Sequence, residues 1–152
     1  MKKTLIFFLS LLFSSLVFAQ TKGDNSVANS IVGEYEAVQN KDHFKVRITK
    51  NTDGSFKGQI YWMEIDKDDN GKKLLDDKNP DKNLRSQPAD RIVLFDGLKY
   101  DAKKKVWNDT KIYDPQRGLR ASMTAEFTAD GRLRIKGSVL GISESVYWKV
   151  ES

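Results

Sequence analysis

An all-β, eight-stranded antiparallel up-and-down β-barrel is the fold this sequence predicts, and three observations carry the prediction. Apolar and polar residues alternate at period two through most of the chain after residue 31, and turn residues sit at nearly every break between these runs. The runs number eight, the size at which an antiparallel meander closes into a small barrel and so removes its exposed edges. The competing arrangement of the same strands is a flattened half-barrel or sandwich.

The chain opens on "MKKTLIFFLSLLFSSLVFAQ", in which Lys2 and Lys3 precede an apolar run from Leu5 to Phe18, with Val17 and Ala19 at the small-residue cleavage positions. Residues 1–19 read as a secretory signal peptide, too short in its apolar run to span a bilayer. Residues 20–30 are small and polar, a flexible lead-in in which Asp24 or Asn25 can cap one turn. Residues 31–152 form a single domain, large enough to bury its own core.

Strands are expected over "GEYEAV" (33–38), "HFKVRITK" (43–50) and "SFKGQIYWM" (55–63), joined by turns at Asn40 and at Asp53-Gly54, whose residues tolerate positive φ. A long polar connection follows. "RIVLFDGLKY" (91–100) and "KVWNDTKIYD" (105–114) come next, then a turn at "DPQRG" with Pro115 and Gly118 in characteristic places. "LRASMTAEFT" (119–128), a turn at Asp130-Gly131, "RLRIKGSVL" (132–140) and "SVYWKVE" (145–151) complete the set.

The chain has no cysteine, so an exported form carries neither disulfides nor the cysteine needed for lipoprotein anchoring. Loss of the leader removes Lys2 and Lys3 and no acid, leaving 24 basic residues against 21 acidic ones. That small excess does not point to nucleic acid, and no later segment is apolar enough to span a membrane. The expected location is periplasmic or secreted, as a soluble protein whose oligomeric state the sequence does not set.

The alternation places apolar and aromatic residues, without a charge among them, on one face. Tyr35, Phe56, Ile60, Trp62, Met123, Phe127 and Trp148 are the candidate ligand-contacting residues, in either a filled core or a pocket for an apolar molecule. Small residues at Ala37, Gly58, Ala121, Ala125 and Gly137 either leave room or accommodate bulky neighbours. The other face carries Lys45, Arg47, Lys57, Arg120, Arg132, Arg134 and Lys136, a stripe for an anionic envelope component or an ordinary solvated wall.

The long connection, "DKDDNGKKLLDDKNPD", places Asp66, Asp68, Asn70 and Asp77 at the first, third, fifth and twelfth places of a calcium loop. Flanking helices are not expected, Asp77 is shorter than the usual glutamate, and Lys67, Lys72, Lys73 and Lys78 offset the acids. Weak calcium binding is the most such a loop offers, and no other cofactor is implied. Long loops in compact domains are disproportionately functional.

"IVGEY", "GQIYWM", "DDKNPDKNLR", "WNDTKIYDPQRG", "LRIKGSVLG" and "YWKV" together resemble an uncharacterised family of exported bacterial proteins, the domain of unknown function numbered twenty-one forty-seven. The resemblance covers nearly all of the chain beyond the leader and implies a calycin, lipocalin-like barrel. It implies a Gly-x-Trp hallmark at Gly33 to Tyr35, with tyrosine in place of tryptophan and with Lys149 or Arg134 as basic partner. Its most specific stretch makes Asn79, Pro80, Asp81 and Arg85 candidate rim or partner-binding residues. Trp107, Tyr113 and Asp114 join them because both faces of the 105–114 strand are mixed, as at a barrel mouth, the alternative being that Tyr113 covers the turn and Asp114 with Pro115 sets it. The resemblance transfers no catalytic residue.

No enzyme is expected. The one histidine, His43, stands at a strand start beside a turn, and Ser138 and Ser145 lack the setting of a serine nucleophile. The expected role is binding of an apolar or amphipathic small molecule in the cell envelope. The alternative is a filled barrel that recognises an envelope protein or polymer, as an inhibitor or assembly factor does.

Overall fold

In the computed structural model, which describes residues 23–152, the strands form a closed barrel. The leader expected over residues 1–19 and the start of the lead-in lie outside the described residues. Strands β1 (Gly33–Gln39), β2 (Asp42–Lys50), β3 (Phe56–Met63), β4 (Val93–Asp101), β5 (Val106–Asp114), β6 (Leu119–Phe127), β7 (Leu133–Val139) and β8 (Ile142–Val150) each pair antiparallel with the next. Strand β8 returns to β1 through Tyr35 opposite Val150 and Glu36 opposite Lys149, and the Glu151 amide donates to the Glu34 carbonyl. This seam is short, yet it closes the sheet and overturns the half-barrel and sandwich alternatives.

Register shifts in the β2–β3, β3–β4 and β5–β6 pairs reset the inward face, and the first and last of these each move a tryptophan. Lys45 pairs with Trp62 while Val46 pairs with Ile60, so Tyr61 is an extra residue and the alternation reverses beyond it. Met63 packs on the core, and Trp62, expected inside, is 38% exposed on the outer wall with His43 and Lys45 against its ring. On β5 the register shifts between Trp107 and Thr110, where Asp109 takes a φ of 68°. Trp107, expected at a rim, is fully buried against Tyr100 and Phe127.

The lead-in is held against one end of the barrel from Asp24 onward. Asn25 donates to the Phe127 carbonyl and accepts from the Phe127 amide, while Tyr100 donates to the Asn25 carbonyl. A 3-10 turn over Ala28–Ile31 follows, with Trp107 Nε1 donating to the Ala28 carbonyl and Ile31 fully buried. A segment expected to be flexible thus forms a plug. Asp24 caps the turn before it by accepting from the Ser26 amide.

Tyr35 is buried, and its hydroxyl donates to the Ile31 carbonyl at 2.7 Å. Its ring lies 6.3 Å from that of Trp148. The basic partner expected from the Gly-x-Trp hallmark is absent from this position. Lys149 is exposed, and Arg134 lies on the outer wall with Glu126 and Ser145.

That outer wall carries acids among its bases. Lys45 pairs with Glu151, Arg47 with Glu34, Arg132 with Asp130 and Arg134 with Glu126. Arg47, Arg120 and Arg132 also lie over the rings of Tyr61, Tyr113 and Tyr147. The stripe is a mixed-charge, solvated surface rather than a uniform positive field.

Candidate functional site

The barrel is filled at the plugged end and hollow at the other. Near the plug, the ring of Phe95 crosses Gly58 so closely that a Cβ there would meet it at 2.4 Å, and Ala125 stands opposite Trp107. These small residues make room for bulky side chains. Farther along, Ala121 and Gly137 leave space unfilled and border a cavity of ≈ 370 Å³. The two kinds of small residue therefore serve the two alternatives the sequence left open.

Phe44, Ile60, Ile112, Val146 and Trp148 line the cavity, with Ala89, Ile92 and Leu94 on the side reached by the long connection. Its charged and amide residues gather at the mouth, where Gln39, Asp42, Asp114 and Glu144 come from the strand ends and Gln116 and Arg117 from the β5–β6 turn. Gln116 ties the β5–β6 turn to the β1–β2 turn, donating from Nε2 to Asp42 and accepting from the Asn40 side chain. Arg117 donates to Glu144 at 2.9 Å.

Of the candidate ligand contacts, Ile60 and Trp148 border this space. Tyr35, Phe56, Met123 and Phe127 are buried in the packed part of the core and do not line it, while Trp62 is outside. The sequence sets no inward phase for Ile92 and Leu94, because "IVLF" (92–95) is a continuous apolar run without alternation, and the β3–β4 register shifts within it. Leu94 and Phe95 are in fact both buried in succession.

The long connection folds back over the mouth end as two small ladders, with Lys67 opposite Lys73 and Leu75 opposite Pro88. Its anchor is Asp76, 2% exposed, whose carboxylate accepts from Tyr113 Oη at 2.6 Å, Asn79 Nδ2 at 2.7 Å and Gln87 Nε2 at 2.9 Å. Burial, and then the bond to Asp76, push the Tyr113 phenol well above its ordinary range. Asn79, buried, also accepts from the Asp81 amide through Oδ1, and Arg85 donates to the Asn79 carbonyl. The Asp-x-x-Asn-Pro-Asp run is thus a self-bracing strap fastened to β5, with Pro80, Asp81 and Arg85 on its exposed side.

Tyr113 and Asp114 border the cavity at the foot of this strap, whereas Trp107 belongs to the plugged end. Gly118, at φ 66°, admits the strap closely, since a Cβ there would sit 2.4 Å from the Lys78 carbonyl oxygen. The acids proposed for calcium are spent locally. Asp66 bonds Lys73, which also holds Asp90, and the bond to Lys73 keeps the Asp66 carboxyl below its usual range. Asp68 accepts from the Asn70 and Lys72 amides, while Asn70 and Asp77 are exposed. Among the described residues no three histidines or carboxylates come together as a metal-binding group.

His43 Nε2 lies 2.5 Å from Glu36 and Nδ1 3.8 Å from Glu64, on the outer wall beside Trp62 and away from the cavity. Ser138 shares its hydroxyl bond with Ser143. No helix among the described residues is long and apolar enough to cross a membrane.

A solved structure of a Helicobacter pylori protein described as belonging to the lipocalin family is similar to this fold, with a TM-score of 0.63. The two chains share 21% identity over 80% of this one and 82% of the other. No curated protein matches. A family described as an uncharacterized protein conserved in bacteria, DUF2147, matches residues 33–150, the whole barrel from β1 to the end of β8. The chain belongs to the DUF2147 family of bacterial proteins.

Proposed function

We propose that this protein is an exported, non-enzymatic carrier that holds an apolar or amphipathic small molecule in the envelope. The observation that supports it is the cavity of ≈ 370 Å³, apolar along its wall and polar only at its mouth. Apolar surface facing such a space gains little from water, and a ligand with one apolar end matches that arrangement. A space of this size and lining suits a small ligand such as one acyl chain or a fused aromatic.

The lipocalin family description of the Helicobacter pylori structure agrees with a ligand-holding barrel. The leader over residues 1–19 supports export. Titration with phenylnaphthylamine, an uncharged dye that brightens in apolar surroundings, tests the reading. The wild-type protein is expected to take up the dye at about one per chain, and Ala121→Trp, which fills the cavity, to weaken uptake roughly tenfold or more. Absence of uptake, or equal uptake by Ala121→Trp, would sink the carrier reading.

A further inference from the structure

The turn between β7 and β8 is built from two residues, Leu140 and Gly141, since Val139 pairs directly with Ile142. Both turn residues have positive φ, 49° and 81°, the geometry in which asparagine and glycine are the usual choices. A leucine here is disfavoured by its backbone and again by water, because its side chain is 99% exposed. Ile142 beside it is 74% exposed, and Val139 and Leu119 are also bare. Nothing within the described fold uses this knob, so its cost points to something outside the chain.

The knob borders the cavity mouth, as Val139, Leu140 and Ile142 all stand at its edge. An apolar path therefore runs from the cavity wall to the tip of the hairpin. Four side chains are far too few for a stable dimer, which needs about 800 Å² from each partner. Charges of both signs are interspersed at the mouth: Asp42, Asp114 and Glu144 line it with Arg117, which pairs with Glu144, while Lys78 donates to the Gln116 carbonyl and Lys41 stands in the β1–β2 turn. A strongly charged polymer or protein would find no single-sign surface here. A lipid bilayer accepts a few apolar side chains at its interface without net charge, as a weak and reversible contact rather than a stable anchor.

We infer that the β7–β8 hairpin is a membrane wedge: Leu140 and Ile142 enter the outer few ångströms of a bilayer and bring the cavity mouth against the lipid surface. The inference builds on the carrier reading. Contact at the mouth lets an apolar ligand pass between bilayer and cavity without crossing water. Because the wedge is apolar, its binding to uncharged vesicles should be nearly independent of salt, unlike attachment by surface charge.

Flotation of the mature protein, from Gln20 onward, with phosphatidylcholine and phosphatidylethanolamine vesicles tests this. The wild-type protein is expected to float with the vesicles, with less than about a twofold change between low and half-molar salt. Leu140→Asn suits the turn's positive φ and removes the apolar tip, so the variant should fold and lose vesicle binding by roughly tenfold, the scale of one buried leucine. Circular dichroism checks that it folds. No wild-type flotation, unchanged flotation of Leu140→Asn, or binding only to anionic vesicles and only at low salt would overturn the wedge. Concentration-dependent dimers that vanish in Leu140→Asn would overturn it in favour of a second copy. Dye uptake without vesicles separates the two readings: uptake with no vesicle binding removes the wedge alone, whereas no uptake removes the carrier.

Discussion

Two tryptophans on similar-looking strands show how much a single bulge decides. Trp107 is enclosed by Tyr100, Phe127 and the plug, and its indole N–H has the Ala28 carbonyl as acceptor. Replacing it with alanine leaves a cavity and an unused carbonyl, at a cost of about 3–5 kcal/mol. Trp62 is held only between His43 and Lys45 on the outer wall, so Trp62→Ala should cost less than about 1 kcal/mol. Urea unfolding of the two variants measures the difference, and similar costs would mean the bulge at Tyr61 is misplaced. Alternation in "GQIYWM" and "KVWNDT" shows which residues share a face only while the register is unbroken. A bulge adds one residue without a residue type to announce it, and the positive φ of Asp109 exists only in the folded chain.

At the scale of elements, the strap shows why a motif can be recognised before its role is. The run from Asp76 to Arg85 is conspicuous in the sequence, but neither its acceptor nor its partner strand can be read from spacing. Tyr113 lies 37 positions from Asp76, and the fold alone brings them together. Nor does the sequence separate Asp76 from Asp77, although one is buried with three donors and the other is exposed. Asp76→Ala strands the Tyr113, Asn79 and Gln87 donors and should cost about 2–4 kcal/mol, while Asp77→Ala should stay within about 0.5 kcal/mol. Thermal unfolding gives the costs, and limited proteolysis should cut the Asp76→Ala strap between β3 and β4 first. The turn at Leu140 was equally hidden, because leucine is not a turn residue; the last strand accordingly begins at Ile142 and not at Ser145.

For the whole molecule, barrel closure was legible because eight alternating runs and short turns leave few other ways to bury one face. The cavity was not, since its size depends on which small residues face bulky rings and which face one another. Stability at high pH joins these levels. Tyr35, Tyr61 and Tyr113 are spread over the plug, the outer wall and the strap. In each, burial first, and for Tyr61 and Tyr113 also bonds to carboxylates, raises the phenol above its ordinary value of 10.0. A raised folded-state value means that the folded protein favours the neutral phenol. The stability this provides is fully present below pH 10.0 and is lost as the pH rises beyond it toward the folded-state values. The melting temperature should hold steady from neutral pH to about pH 9.5 and then fall steeply, with phenolate absorbance appearing together with loss of the β signal in circular dichroism. Tyr113→Phe starts less stable, having lost the bond to Asp76, but its decline above pH 10.0 should be shallower because one of the three groups no longer titrates. Phenolate absorbance that rises fully while the barrel stays folded would show that these hydroxyls are open to solvent, and would remove both the strap's anchor and the plug's bond to Tyr35.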